Sequence, residues 1–170
     1  MRPSICRQLG ATLGLAALAL IAFGSIAGSD PAVSGEEHCV VNVRSDDRLN
    51  MRTQPNPRAA TVARKRHNEC GILVHNCRRN WCRVEDGHSL GWVNRHFIAM
   101  VSPPIYCVVG VPRGDALNLR AFPSAQSRVL TRPARRQCNI AFLPYAVGGW
   151  QKVRVAGWQG WVNRRYLSGE

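Results

Sequence analysis

Acidic side chains are scarce in this 170-residue chain, where 10 Asp and Glu stand against 23 Lys and Arg, for a formal charge of +13. An acidic tail protein is thereby excluded, and with only 19% charged residues so is a long coiled coil. Helical periodicity is also missing, since no segment keeps an apolar stripe through three turns. Histidine is sparse and uneven: the five are His38, His67, His75, His88 and His96, and none follows His96. No constellation of nucleophile, base and orienting group results, so the expectation is a non-enzymatic protein without a cofactor. What the chain does hold is 7 Cys, 10 Pro and 15 Gly, the marks of turn-rich structure rather than a helical bundle or a large α/β enzyme.

Arg2 and Arg7 precede a stretch from Leu9 to Gly28 that contains no charge and ends its apolar part in Ser25-Ile26-Ala27. This is the pattern of a secretory signal peptide over residues 1–27. An uncleaved anchor is the alternative, because about 20 uncharged residues just span a bilayer. The Ala- and Gly-rich composition is only moderately hydrophobic, which favours cleavage. Cys6 lies ahead of the apolar core and leaves with the signal. Export places the other six cysteines in an oxidising, periplasmic or extracellular compartment. Without Arg2 and Arg7 the charge falls to +11 (21 basic, 10 acidic). Residues 28–38, polar and containing Pro31, Ser34 and Gly35, are expected to be a flexible lead-in.

The remainder is one unit written twice. Cys39-Val40-Val41 and Cys107-Val108-Val109 lie 68 positions apart, as do Leu49-Asn50-Met51-Arg52 and Leu117-Asn118-Leu119-Arg120, Pro55 and Pro123, and Cys70 and Cys138. A one-residue insertion, placed at Gly148-Gly149, then shifts the offset to 69. That offset matches Trp81 to Trp150, Val84 to Val153, and Gly91-Trp92-Val93-Asn94-Arg95 to Gly160-Trp161-Val162-Asn163-Arg164. There are 19 identities over the 60 positions from Cys39 to Ile98. The units are expected at 39–100 and 107–170, joined by a semi-rigid linker over 101–106 that carries Pro103-Pro104. Within the first unit, residues 39–43, 49–52, 71–75, 81–85 and 90–93 are short β-favouring runs between Asp, Asn, Pro and Gly clusters.

The N-x-R elements at Asn50-Met51-Arg52 and Asn118-Leu119-Arg120, the Trp-x-x-Val strand, and the closing Gly-Trp-Val with Phe97-Ile98 or Tyr166-Leu167 carry a family resemblance. In order and spacing, each unit resembles the bacterial SH3 domain (SH3b), over nearly all of its length. The resemblance implies an all-β fold of two tandem SH3-like five-stranded β-barrels. It also implies an exported protein that binds a cell-wall polymer such as peptidoglycan, or another envelope ligand. A periplasmic protein–protein adaptor is the second reading.

Cys39 with Cys70 recurs as Cys107 with Cys138, which is expected if each pair closes within its own unit. A loop of that length gives roughly 3 to 4 kcal/mol on the chain-entropy model. Cys77 and Cys82 occur only in the first unit and would clamp a hairpin, for roughly 2 kcal/mol; Tyr145 and Gln151 stand in their place in the second. The alternative is a metal site from His75, Cys77, Cys82 and His88, but two tight ligand clusters are lacking and an oxidising compartment favours disulfides. No metal is therefore expected.

By analogy with the eukaryotic relatives, Trp81 with Phe97 and Trp150 with Tyr166 would line one shallow groove per unit. Arg78, Arg79 and Arg95 would rim the first, and Arg154, Arg164 and Arg165 the second. The competing reading makes these aromatics part of a small core. Asn94 and Asn163 stand where the peptide-binding relatives carry a groove proline, and Asp46, Asp47 and Asp115 supply little of an acidic loop. Trp92 and Trp161 are expected to pack. Asn50, Arg52, Asn118 and Arg120 are expected to fix the early loop. Charge divides as +6 over 39–100, +8 over 107–170 and −3 in the lead-in. Such surfaces attract anionic wall polymers, lipids or acidic envelope proteins, while export argues against nucleic acid as the partner. The membrane is engaged only through the signal segment, if uncleaved.

Overall fold

The computed structural model describes residues 32–169. The expected signal segment, with Cys6, lies outside the described residues. Across them the chain is all-β, with two antiparallel sheets and a short 3-10 turn near the end of each unit. The first sheet contains β1 (Glu37–Val40), β2 (Arg48–Arg52), β3 (Thr61–Arg66), β4 (Ile72–Arg78), β5 (Trp81–Glu85), β6 (Leu90–Asn94) and β7 (Ile98–Met100) in the order β3-β2-β6-β5-β4-β1-β7. The second contains β8 (Leu119–Arg120), β9 (Val129–Thr131), β10 (Ala141–Val147), β11 (Trp150–Val155) and β12 (Trp158–Asn163) in the order β10-β11-β12-β8-β9.

Alternation drives the strands. Leu49 and Met51 of β2, Cys82 and Val84 of β5, and Val93 of β6 point inward, with polar residues between them. They meet Val40, Ile72, Val74 and Ile98 in one core. Val108, Leu117, Leu119, Ile140, Val153, Val162 and Leu167 build the second core from matching positions. Gly91 and Gly160 allow the closing strand to press on the early one: a Cβ on Gly91 would lie 2.7 Å from the Met51 side chain, and one on Gly160 2.7 Å from the Arg120 carbonyl. The Gly of each Gly-Trp-Val motif is thus a packing requirement.

Two strands of the first sheet escape sequence reading. β7 is only three residues long, and β3 carries Arg64-Lys65-Arg66, which no hydrophobic pattern marks as a strand. As an edge strand it pairs with β2 alone, and its charges suit that place. Lys65, turned toward the core side, pairs with the buried Asp86 and with Glu69 at 3.2 Å. Burial opposes the Asp86 carboxylate, but Lys65 and the backbone N–H groups of His88 and Ser89 outweigh it and hold the pKa at about 2.

Three disulfides join Cys39 to Cys70, Cys77 to Cys82 and Cys107 to Cys138. Their presence fits an oxidising compartment beyond the cytoplasm. Cys77 and Cys82 bond to each other, and His75 Nε2 lies 3.0 Å from Glu85 Oε2 rather than against a thiolate.

Three expectations need correction. The lead-in is built into the fold from residue 32: Ala32 packs on the first core, Gly35 N–H donates to the Val74 carbonyl at 2.8 Å, and Glu37 and His38 belong to β1. His38 is fully buried, with Nδ1 donating to the Glu36 carbonyl and Nε2 accepting from Val33 N–H. Pairing of β1 with β4 and β7, which includes Glu37 and His38, holds the segment in place. The linker, expected over 101–106 as a semi-rigid spacer, is packed into the fold as well. Val101 is buried, and Ser102 and Phe142 exchange two hydrogen bonds of 2.8 and 3.0 Å. Finally, the insertion lies within β10. Both hairpins turn through two residues, since Arg78 pairs with Trp81 and Val147 with Trp150, while β10 bulges between Phe142 and Ala146. Ala146, not Tyr145, therefore faces Gln151 where Cys77 faces Cys82.

A third apolar cluster seals the two units: Cys39 and Val101 meet Ala141 and Leu143, flanked by Cys70 and Tyr145. Tyr145 Oη donates to the Val40 carbonyl at 2.8 Å, and Arg154 makes a two-pronged ion pair with Glu37 at 2.7 and 2.8 Å.

Candidate functional site

Local chemistry in each unit brings one Trp and one aromatic together. Trp81 and Trp150 open β5 and β11, directly after the hairpin turn. Asn94 and Asn163 close the next strand and accept from His96 N–H (3.0 Å) and Arg165 N–H (3.2 Å), capping a 3-10 turn that ends in Phe97 or Tyr166. The same turn is tied to the hairpin, because Arg95 N–H donates to the Asn80 carbonyl at 2.9 Å and Arg164 N–H to that of Gly149 at 2.8 Å. The Asn that replaces a groove proline is therefore the residue that positions the groove's second aromatic.

The opposite wall comes from the early loop. Arg52 donates to the Ala59 carbonyl at 2.8 Å and Arg120 to that of Ser127 at 2.7 Å, each spanning the loop that follows the N-x-R element. This is the loop-fixing role expected of the arginines. It also sets Pro57 and Ala125 against the groove.

Two concavities result, of about 390 Å³ in the first unit and about 260 Å³ in the second. Their linings correspond position by position. Asp47, Asn50, Arg52, Trp81, Asn94 and Phe97 in the first become Asp115, Asn118, Arg120, Trp150, Asn163 and Tyr166 in the second. Phe97 and Tyr166 also pack on their cores, whereas Trp81 and Trp150 belong to no core cluster. Groove and core thus divide the aromatics between them.

The arginine rim differs from the expected one. Arg78, Arg79 and Arg95 lie at the hairpin end and on the exposed 3-10 turn, outside the concavity, whose cations are Arg44, Arg48 and Arg52. Arg44 is bound to Asp46, at 2.5 Å. In the second unit Arg154 shares a side of β11 with Trp150 and Lys152 but sits near the far end of the strand, opposite Ala141, where it binds Glu37 at the seam. The Arg154 guanidinium hydrogen-bonds the Glu37 carboxylate and holds it below its usual pKa range. Arg164 lies over the Phe142 ring at 5.9 Å, and Phe142 stacks on Tyr106 at 3.7 Å. Arg165 does not line the concavity either, but it covers the ring of the lining residue Tyr166 at 4.6 Å and donates to its hydroxyl. Where the first groove has Arg44 and Arg48, the second has Pro112 and Ala116. Trp92 and Trp161 are half-buried on the outward side of their strands and join no core cluster.

Against known proteins, no curated sequence matches. Among solved structures, NlpC1 from Trichomonas vaginalis aligns at 11% identity and a TM-score of 0.38, covering 84% of this chain and 49% of that one. NlpC2 from the same organism aligns at 11% identity and a TM-score of 0.38, covering 79% and 48%. The chain spans about half the length of these two structures. Residues 45–98, which contain the first groove's Asn50, Arg52, Trp81 and Phe97, match the family model of the bacterial SH3 domain.

Proposed function

We propose that this chain is an exported, non-enzymatic binding protein of two tandem SH3-like units, 32–100 and 107–170, released from its signal after residue 27 to the periplasm or beyond. Its two grooves hold a component of the cell envelope such as peptidoglycan. One observation carries the reading: two units that share 19 of 60 residues keep the same groove-lining framework, including the Trp that neither core uses. The match of residues 45–98 to the bacterial SH3 domain supports it, as that family resembles wall-associated modules of exported proteins. With Cys77 and Cys82 paired, the metal and thiolate chemistries that would argue for an enzyme lose their ligands.

The test is retention of the protein on purified peptidoglycan at moderate salt. Retention is expected, with a loss of roughly tenfold or more when Trp81→Ala and Trp150→Ala are combined, the cost of removing aromatic anchors from a binding site. No retention, or retention indifferent to both substitutions, counts against wall binding. Crosslinking in intact cells that captures one dominant envelope protein would favour the adaptor reading instead.

A further inference from the structure

We propose that the outward face of the first sheet, from β3 across β2 and β6 to β5, is a binding surface for an anionic polysaccharide. Leu49, Met51, Val84 and Val93 take the inward positions of their strands, so the residues alternating with them share the outer face. Register then places Arg48 directly opposite Arg66, with Arg64 beside it on β3. Arg52 is opposite Trp92, and Trp92 is opposite Arg83. The strip crosses three interstrand steps, roughly 14 Å.

Like charges directly opposed across a strand pair are destabilising, and no ion pair among the described residues relieves them. None of Arg48, Arg52, Arg64, Arg66 and Arg83 forms an ion pair among the described residues. Most nearby acids are engaged elsewhere: Asp46 with Arg44, Asp86 and Glu69 with Lys65, Glu85 with His75, and Glu37 with Arg154, while Asp47 and Glu69 accept from the backbone N–H groups of Arg48 and Arg66. A local rule broken on one face, with no compensating ion pair, points to an external partner of opposite charge. Guanidinium forks match carboxylate or phosphate oxygens two at a time. Half-buried Trp92, set between two of them, leaves ring area to stack on a sugar but little to insert among lipid chains.

The second unit provides an internal contrast. It keeps the row Arg120, Trp161, Lys152, but Ala116 and Ala134 stand where the first unit has the opposed Arg48 and Arg66. Arg132 also matches Arg64, so what belongs to the first unit is the directly opposed pair Arg48 and Arg66. The strip rests on the groove reading only through Arg48 and Arg52, which line both; Arg64, Arg66 and Arg83 lie outside the concavity.

Affinity electrophoresis of the full, oxidised chain through gels containing polygalacturonate or neutral dextran tests the proposal. Retardation by polygalacturonate alone is expected. Arg64→Glu with Arg66→Glu, both exposed, should weaken it roughly tenfold or more, whereas the charge-matched pair Arg113→Glu with Arg136→Glu in the second unit should stay within about twofold. Equal losses from the two pairs would reduce the effect to net charge and overturn the proposal, as would tighter binding to phosphatidylglycerol vesicles than to the polymer. The groove variant Trp81→Ala with Trp150→Ala should leave polygalacturonate binding in place, so wall binding and polyanion binding fail separately.

Discussion

Hairpins β4–β5 and β10–β11 hold the same place in two copies of one framework, yet they are finished by different chemistry and face different surroundings. In the first, Leu73 and Glu85 are opposed on the outer side, Glu85 binds His75, and the Cys77–Cys82 bond crosses the strands. In the second, Ala141 and Arg154 take the place of Leu73 and Glu85, and together with Leu143 and Tyr145 they cover the first unit. Leu143 and Tyr145 share the side of β10 on which Ala141 faces the seam, and although both hairpins are irregular here, the longer bulge of β10 releases their ladder carbonyls. Buried Gln151 satisfies them, its Nε2 donating to Leu143 O at 2.7 Å and Tyr145 O at 3.2 Å. A covalent clamp and a buried amide thus do the same structural job. The amide permits the bulge. Ion pairing differs as well: the buried Lys65–Asp86 pair of the first unit corresponds to Pro133 and Val155 in the second.

The comparison breaks most severely at Leu143. Leu143→His, which gives the second hairpin the polar character of the first, should cost about 4 kcal/mol through lost burial and an unsatisfied ring, and should raise hydrogen exchange along the seam. Denaturant unfolding and exchange mass spectrometry measure both. Next comes Asp86→Asn, which leaves Lys65 with Glu69 as its ion-pair partner and should cost roughly 2 kcal/mol in the first unit only. The linked pH effect has a definite sign. The folded pKa of Asp86 is depressed to about 2, so its stabilisation is complete above the unfolded value near 4 and is lost as pH falls through about 2. Acid unfolding followed by residue-level exchange should therefore open the first unit before the second, which lacks this pair.

Gln151→Ala should cost about 2 kcal/mol by leaving the bulge carbonyls unpaired, close to the effect of removing the Cys77–Cys82 bond. The register behind that equivalence is testable by thiol titration: Ala146→Cys with Gln151→Cys should oxidise to a bond, and Tyr145→Cys with Gln151→Cys should leave free thiols. Among the stability changes the smallest is Glu37→Gln at the half-exposed seam ion pair, about 1 kcal/mol or less and sensitive to salt. A local opening should accompany mild acid. Burial pushes the His38 pKa down, so its contribution is present above the unfolded value near 6.5 and is lost as pH falls through the lower folded value. Faster exchange at Val33, whose N–H His38 accepts, is the readout.

Much of this was legible in the chain because the repeat acts as its own control. Two cysteines 31 residues apart, repeated, declared two of the three disulfides, and Leu49, Val84 and Val93 with their partners declared the cores. The groove aromatics were legible for the same reason. The arginine rim was not, since register decides which part of a sheet meets a neighbour: Arg154 has the same parity on β11 as Trp150, but it lies opposite Ala141, at the end of the strand that meets the first unit. β3 stayed hidden because its inward residues, Ala63 and Lys65, are small or charged. The Lys65–Asp86 pair joins residues 21 positions apart with no local pattern between them.

The sequence by itself determined the all-β class and the disulfide pairing, and its internal matches pointed to the Trp and the Phe or Tyr that line each concavity. These follow from periodicities and spacings that survive copying. Only the tertiary structure decided that the two units are sealed against each other, that residues 32–38 belong to the first of them, and that the first sheet's arginines are gathered unpaired on one face. Each of these depends on strand register and on contacts between residues distant in the chain, where a shift of one position reverses which side a residue faces.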